Sequence, residues 1–358
     1  MPTQRGFDER LIWQAVMLRY MGETELSHAQ IAKKMNIKRI MVTRLLSRAQ
    51  SEGYVRTIFA PPKDRQLELN LIAKYNLLDA YVAKLNTQEL DPKVFLRVIG
   101  EAGATCFQNN LKDCVERLEK KVKRIRPVSN PEPLLIGLAG GLTIAAVARA
   151  LSPGSEYVKV FPLAATLTEI GQFGPESICG SFVSHYSADH ASMEPGFYLK
   201  AELDETGEKI ARFAFVPKAQ AEGLMLDMAL IGIGATGIKS STFAQAVALI
   251  PDRIREKIFS PANGKTVVGD IAGTLIYEDG SLGDSFGYSE NLISVKPDQL
   301  RKMYKASNGD TRIIAVAAGL NKVHAIRAAL LGGNKVKPDP YFNVLVTDQL
   351  TAEELLKP

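Results

Sequence analysis

The chain has 358 residues, 46% of them hydrophobic and 23% charged, the balance of a folded globular protein long enough for two domains. Its longest apolar stretches, Leu134–Leu138 and Met225–Ile233, are too short or too interrupted by glycine to span a bilayer. Met1–Glu9 lacks the apolar core of a signal peptide, so a cytoplasmic protein with no membrane partner is expected. The net charge of +5 is unevenly placed: residues 1–65 hold twelve Lys or Arg against six Asp or Glu, while the rest is close to balanced, which points to a polyanionic partner for the first segment alone.

In chain order, Phe7–Met21 reads as an amphipathic helix with Leu11, Ala15, Leu18 and Met21 inward and Trp13 flanking. Ser27 is a plausible N-cap, with Gln30 in the capping-box position, for a short helix carrying Ile31, Ala32 and Met35. A third helix spans Lys38–Glu52, with Val42, Leu45, Leu46 and Ala49 inward. Tyr54–Phe59 alternates like a strand, Ala60–Asp64 is a turn, and Arg65–Leu69 is expected to return as a second strand, forming a small wing. Beyond residue 66 the pattern changes. Strands are predicted at Ala80–Leu85, Leu134–Leu138, Val158–Leu163, Met228–Ile233, Ile313–Ala317 and Asn343–Thr347, separated by helices at Lys93–Gly100, Thr105–Arg124, Thr143–Leu151, Lys239–Ile250 and Lys322–Leu331. Such alternation argues for a mostly parallel α/β sheet covered on both faces. The expected domains are 1–60 and 66–358. Cys106, Cys114 and Cys179 have no metal-ligand spacing and read as small buried residues in a reducing compartment.

Leu26–Leu46 has helix-turn-helix spacing. Ala32 is the small residue where two helices cross, and Asn36 tolerates the left-handed backbone of the turn. The opening half of the second helix would enter a major groove of double-stranded operator DNA, presenting Lys38, Arg39, Met41, Thr43, Arg44 and Arg48 to bases or phosphates. The other reading is a three-helix bundle whose charged face docks against protein. His28 reads as a surface residue.

Ile136–Val147 is a strand, a glycine turn and a helix opening. Gly140 and Gly141 let backbone approach a ligand, free N–H groups and the helix dipole favour an anion, and Thr143 adds a hydroxyl. It is neither a dinucleotide fingerprint nor a P-loop, and a tight packing turn would look much the same. Further polar or glycine clusters end other strands: Ala229–Gly234 with Gly232 and Gly234, Val268–Gly273 with Asp270, Val316–Lys322 with Gly319 and Lys322, and Asn343–Asp348. Strand ends are where open α/β sheets build ligand crevices.

With the N-terminal segment, this order resembles the SorC family of sugar-binding transcription regulators, grouped with the DeoR type, over residues 8 to 356. The resemblance implies a helix-turn-helix, winged or homeodomain-like, joined to a Rossmann-like effector domain similar to sugar-phosphate isomerases. It also implies a phosphorylated sugar or polyol effector and a homo-oligomer, dimer or tetramer. On the matching motifs, Gly140, Gly141, Leu142 and Thr143 correspond to the family's phosphate loop, Asp270 to the carboxylate accepting sugar hydroxyls, and Lys322 to the cation. Leu142 stands where a hydroxyl residue or Glu is common, Ala318 where glycine is common, and Asn334–Phe342 reads as an insertion. Asp270 could instead cap its own turn, and Lys322 could be a surface residue at a helix start. No catalytic residue, cofactor or metal is expected. The alternative is an isomerase- or deaminase-like enzyme with an appended DNA-binding segment, using Asp270 as base. His185, His190 and His324 receive no assigned role.

Overall fold

The computed structural model describes residues 9–21, 26–52, 54–55, 60–84, 90–125, 132–164, 173–186, 190–193, 201–203, 209–211, 225–237, 252–259, 265–283 and 294–358. The predicted helix Lys239–Ile250 and most of Tyr54–Phe59 lie outside them. The chain divides into two units, residues 1–59 and 60–358.

The first unit packs α1 (Glu9–Tyr20), α2 (His28–Met35) and α3 (Arg39–Ser51) around one cluster. Ile31, Val42, Leu45 and Ala49 are wholly buried, and each large aliphatic of this kind contributes roughly 1.5–3 kcal/mol. The α1 stripe differs from expectation. Ile12, Ala15 and Val16 are its buried residues, Leu11 and Leu18 only pack against the cluster, and Met21 is 69% exposed. Ile12 takes the inward position because its i, i+3, i+4 neighbours Ala15 and Val16 are small enough to let α3 close on them.

The second unit begins with another correction. Arg65–Leu69 is not a strand but the start of α4 (Arg65–Tyr75). Asp64 caps it, its side chain accepting from the Leu67 N–H at 3.1 Å, and Leu67, Leu71, Ile72 and Tyr75 give it a helical apolar face. The strands follow as β1 (Asp79–Ala83), β2 (Leu134–Leu138), β3 (Val158–Pro162), β4 (Ala191–Met193), β5 (Ala201–Leu203), β6 (Lys209–Ala211), β7 (Met228–Ala235), β8 (Val267–Ile271), β9 (Thr274–Tyr277), β10 (Leu282–Gly283), β11 (Arg312–Val316) and β12 (Val344–Asp348). The helices between them are α5 (Pro92–Ile125), α6 (Leu142–Ala150), α7 (Pro175–Val183), α8 (Asp252–Phe259), α9 (Pro297–Ala306), α10 (Val323–Leu331) and α11 (Gln349–Leu356).

The central sheet runs β1-β12-β11-β7-β2-β3-β4, every neighbouring pair parallel. Antiparallel β8, β9 and β10 extend from the end of β7, and β5 and β6 form a separate pair. Alternate residues of β11 feed opposite cores. Ile313 and Ala315 face the cluster with α4, α9, α10 and α11, while Ile314 and Val316 face that with α5, α6 and α7. The fold is thus α/β with a mostly parallel sheet covered on both sides. Among the described residues no helix is long and apolar enough to cross a membrane.

Where two helices were expected at Lys93–Gly100 and Thr105–Arg124, α5 continues unbroken for 34 residues. Gly100 and Gly103 do not end it. They sit where α6 crosses: a Cβ on Gly100 would lie 2.9 Å from Ala146, and one on Gly103 would lie 2.5 Å from the Val147 side chain. The absent side chains permit the close crossing, and tertiary packing overrides glycine's weak helix propensity. Gly103→Leu should therefore destabilise the chain by about 1–3 kcal/mol in urea unfolding through overpacking. An unchanged midpoint would mean that α5 and α6 do not meet this closely.

Candidate functional site

The sheet order fixes where a ligand can enter. From β2 the chain moves outward to β3 and β4, then returns to the other side of β2 with β7 and continues to β11 and β12. The order thus reverses between β2 and β7, with α6 after β2 packed on one face and α9 before β11 on the other. The carboxyl ends of strands at such a reversal are where open α/β sheets bind ligands. The glycine turn after β2, Gly232 and Gly234 in β7, and Gly319 and Lys322 after β11 all lie at this end of three adjacent strands. A Cβ on Gly232 would lie 3.7 Å from Ile144 and 3.9 Å from the Gly140 carbonyl, so β7 and the glycine turn face each other with room to spare.

Gly141 is the N-cap of α6 at φ 116°, a conformation that favours glycine and leaves no side chain to close the helix. Its N–H is not available to a ligand, however, because it donates to the Phe173 carbonyl at 2.8 Å. The anion-binding capacity of the turn thus falls to the first amides of α6, at Leu142, Thr143 and Ile144, with the positive end of the helix dipole behind them. Leu142 and Thr143 are partly exposed there.

Lys322 ends the 3-10 turn Leu320–Lys322. It is partly buried rather than a solvated surface residue, and its ammonium donates to the Ile233 carbonyl at 2.8 Å, which holds it beside the end of β7. Burial pulls its pKa down, and the Asp270 carboxylate pulls it back up. Asp270 arrives by a different route from the other residues. It lies on antiparallel β8, paired in register with Gly234. That pairing depends on Gly269, whose Cβ would meet the Gly234 carbonyl at 2.1 Å. The Asp270 carboxylate also accepts from the Gly273 N–H at 2.9 Å, so it does cap its own turn while standing in the field of Lys322. Burial raises its pKa from 3.8 to about 6, the Gly273 hydrogen bond and Lys322 opposing the rise. The turn is a two-residue hairpin with Ala272 at φ 49° and Gly273 at φ 80°, so an alanine occupies a left-handed position better suited to Asn or Gly.

His185 and His190 are not brought to this crevice. The His185 carbonyl accepts from Gly154 ahead of β3, and that of His190 from Val158, both at the opposite end of the parallel strands. His324 is exposed on α10. Cys106, Cys114 and Cys179 are buried, and burial raises all three thiols.

In the other unit, Ser27 and Gln30 form the capping box of α2, and Asn36 adopts φ 53°, the left-handed turn residue. α3 presents Lys38, Arg39, Thr43 and Arg44 to solvent. Its first turn has no acidic residue, so two cations crowd the positive end of a helix dipole, an arrangement that an incoming phosphate relieves. Thr43 is held by His28 across a 3.1 Å hydrogen bond. Two expected contacts are less available: Met41 is partly buried, and Arg48 is paired with Glu52. One residue went unnoticed in the sequence. Ile40 is 59% exposed between Arg39 and Met41, and its position off the Val42–Leu45–Leu46–Ala49 stripe was the signal.

Two stability measurements check the Asp270 hairpin. Because the folded carboxyl keeps its proton to higher pH than the unfolded one, its contribution is complete below about pH 4 and is lost as pH rises through about 6. Asp270→Asn retains an acceptor for Gly273, so it should flatten the fall in melting temperature across that window. An unaltered profile would put the carboxylate in solvent. Ala272→Asn should stabilise the chain by about 1 kcal/mol by relieving the left-handed alanine, read as a rise in melting temperature, and a decrease would contradict the turn.

The sequence matches the family described as "Putative sugar-binding domain" over residues 122–357. It is 27% identical to the sorbitol operon regulator of Klebsiella pneumoniae, covering 98% of each chain, and 24% identical to the deoxyribonucleoside regulator of Bacillus subtilis, covering 97% of each. Its fold is similar to the crystal structure of the full-length sorbitol operon regulator SorC from Klebsiella pneumoniae, with a TM-score of 0.58 and 24% identity over 97% of this chain and 99% of that one. A DeoR family regulator from Listeria monocytogenes aligns over 81% of this chain and 98% of its own, with a TM-score of 0.57 and 20% identity. The chain belongs to the SorC/DeoR-type family of sugar-binding transcriptional regulators.

Proposed function

We propose that residues 1–59 bind double-stranded operator DNA and that residues 60–358 hold a small phosphorylated sugar or polyol that controls operator occupancy, the chain acting as a cytoplasmic homo-oligomer, dimer or tetramer. The observation that carries this reading is the convergence, at the reversal between β2 and β7, of an uncapped helix start, a partly buried lysine and a carboxylate. A phosphate suits the α6 amides and Lys322. Sugar hydroxyls suit Asp270 once it is ionised. Relatives named as sorbitol operon and deoxyribonucleoside regulators fit the same class of effector.

A sugar-phosphate enzyme would ask more of the site. Asp270 is tied to its own turn by Gly273, and His185 and His190 sit at the other end of the sheet. The described crevice therefore offers binding groups without an aligned acid–base pair, which favours a sensor over a catalyst.

On the DNA side, the exposed cations Lys38, Arg39 and Arg44 flank the apolar Ile40, which suits contact with a thymine methyl in the major groove. Symmetric pairs of such units read half-sites whose spacing follows the way the effector domains are held together. An effector with different affinity for two arrangements shifts operator occupancy by that difference.

Thermal-shift screening of the full chain against phosphorylated sugars and polyols tests the effector class, since a binder of the native state raises the melting temperature by mass action. Lys322→Ala should remove that response and leave operator affinity unchanged, while Arg44→Ala should weaken operator binding and leave the response intact. The swapped pattern, or no response to any phosphorylated compound, would defeat the assignment. Fluorescence anisotropy against salt separates the two kinds of DNA contact. Arg44→Ala should lower the slope of log K on log salt by about one if it neutralises a phosphate, whereas Ile40→Ala should weaken specific binding by about 1–3 kcal/mol with the slope unchanged.

A further inference from the structure

Lys322 reaches the crevice at the end of a short 3-10 turn that begins at Gly319. Gly319 opens that turn at φ 105°, the Lys322 N–H returns to the Gly319 carbonyl at 2.9 Å, and the three turn residues include none that is buried. What fixes Gly319 lies in another element. Its N–H is shared between the Asp348 carboxylate at 2.8 Å and the Thr351 hydroxyl at 2.9 Å. Asp348 and Thr351 are both fully buried. Asp348 ends β12 and caps α11, with one oxygen accepting from the Thr351 N–H at 3.1 Å and the other from the Thr351 hydroxyl as well as from Gly319. A carboxylate has acceptor capacity for all three donors, and an amide does not, since one of its two ends donates.

We propose that Asp348, which lies outside the crevice, is the positioning residue that sets Lys322 for the effector. This rests on the crevice reading given above. The pair of acceptors on Gly319 fixes where the turn starts, three residues before the ammonium. Rigidity in the strand β12 and in the first turn of α11 is thereby passed to a cation that has only one described hydrogen bond of its own, to Ile233. A helix-capping role alone would need the Thr351 N–H and nothing from Gly319.

The test measures the lysine itself, so it does not depend on knowing the effector. The full chain is reductively methylated and labelling of Lys322 is followed by mass spectrometry, with exposed Lys33 and Lys34 as internal references. In Asp348→Asn, where an amide N–H₂ or a lost acceptor faces Gly319, labelling of Lys322 should accelerate about tenfold, the effect expected when a buried hydrogen bond is broken. Thr351→Val, which removes only the second acceptor, should give a smaller acceleration and serves alone if the Asp348 variant does not fold. Thr351→Ser keeps the hydroxyl and should label at the wild-type rate. Leu355→Ala, a cavity in the same helix, sets the scale for general destabilisation. The proposal is overturned if Lys322 labels at the wild-type rate in Asp348→Asn and Thr351→Val, or if Leu355→Ala accelerates it equally. In parallel, isothermal titration with sorbitol 6-phosphate should show at least tenfold weaker binding by Asp348→Asn with unchanged operator affinity. If the wild-type chain itself ignores that compound, the effector assignment loses support while the labelling result still decides the role of Asp348.

Discussion

The constraint on which the rest of this molecule depends is topological: the chain builds its parallel sheet outward from β2 in one direction and then in the other. At that reversal, between β2 and β7, open α/β sheets place their ligand crevices. Everything assigned to ligand binding is placed by this reversal. The α6 helix starts beside it because it directly follows β2, and the turn carrying Lys322 lies beside it because β11 is the next strand over from β7. Glycine supplies the remaining space, at Gly232 facing Ile144 and at Gly269 beneath the Gly234 carbonyl. A side chain at Gly269 would break the pairing of β8 with β7, whereas Gly232 leaves room opposite Ile144.

The electrostatics follow from that placement. A lone ammonium in a partly buried site is destabilised by lost hydration, and so is a lone carboxylate, which is why burial moves Lys322 down and Asp270 up. Each opposes the other's shift, yet Asp270 is still raised to about 6, so the pair does not fully offset its own desolvation. Such a site is poised for a ligand carrying both a negative group and hydroxyl donors. On the reading proposed above, an anion would complete the surroundings of Lys322, and hydroxyl donors would favour the ionised form of Asp270.

Much of this was legible in the sequence because it is written in short-range patterns. The capping box of Ser27 and Gln30, the left-handed Asn36, and the strands at Leu134–Leu138 and Val158–Pro162 need only local chemistry and periodicity. What escaped was set by partners distant in the chain. Gly100 and Gly103 look like helix ends until α6 is seen crossing them, and Arg65–Leu69 looks like a strand because its helical cap, Asp64, sits in a segment rich in turn signals. The Gly141 amide reads as free for a ligand until Phe173 is found accepting from it. Asp270 was placed at a strand end, but its strand runs antiparallel and reaches the crevice through a register with β7 that no local motif encodes. Ile40 lies off the Val42–Leu45–Leu46–Ala49 stripe, so its exposure follows from helical periodicity, while its use depends on a partner that the local pattern does not name.

The edge of the sheet adds a final step. β1 is an outer strand, and the backbone groups around Val82 on it are already taken. The Val82 carbonyl accepts from Asp64, the Lys84 N–H donates to the Pro62 carbonyl, and the Val82 N–H donates to the buried Glu68 carboxylate. The Tyr81 hydroxyl donates to the Pro61 carbonyl, and Lys63 lies 4.2 Å over the same ring. An edge so covered is a poor template for strand pairing with another chain. The capping segment is residues 60–64, the first residues of this unit. Its Lys63 bridges to Ala83, and Ala83 is in register with Asp348. Two backbone pairings, Lys63 with Ala83 and Ala83 with Asp348, therefore tie the capping segment to the strand end that holds Gly319.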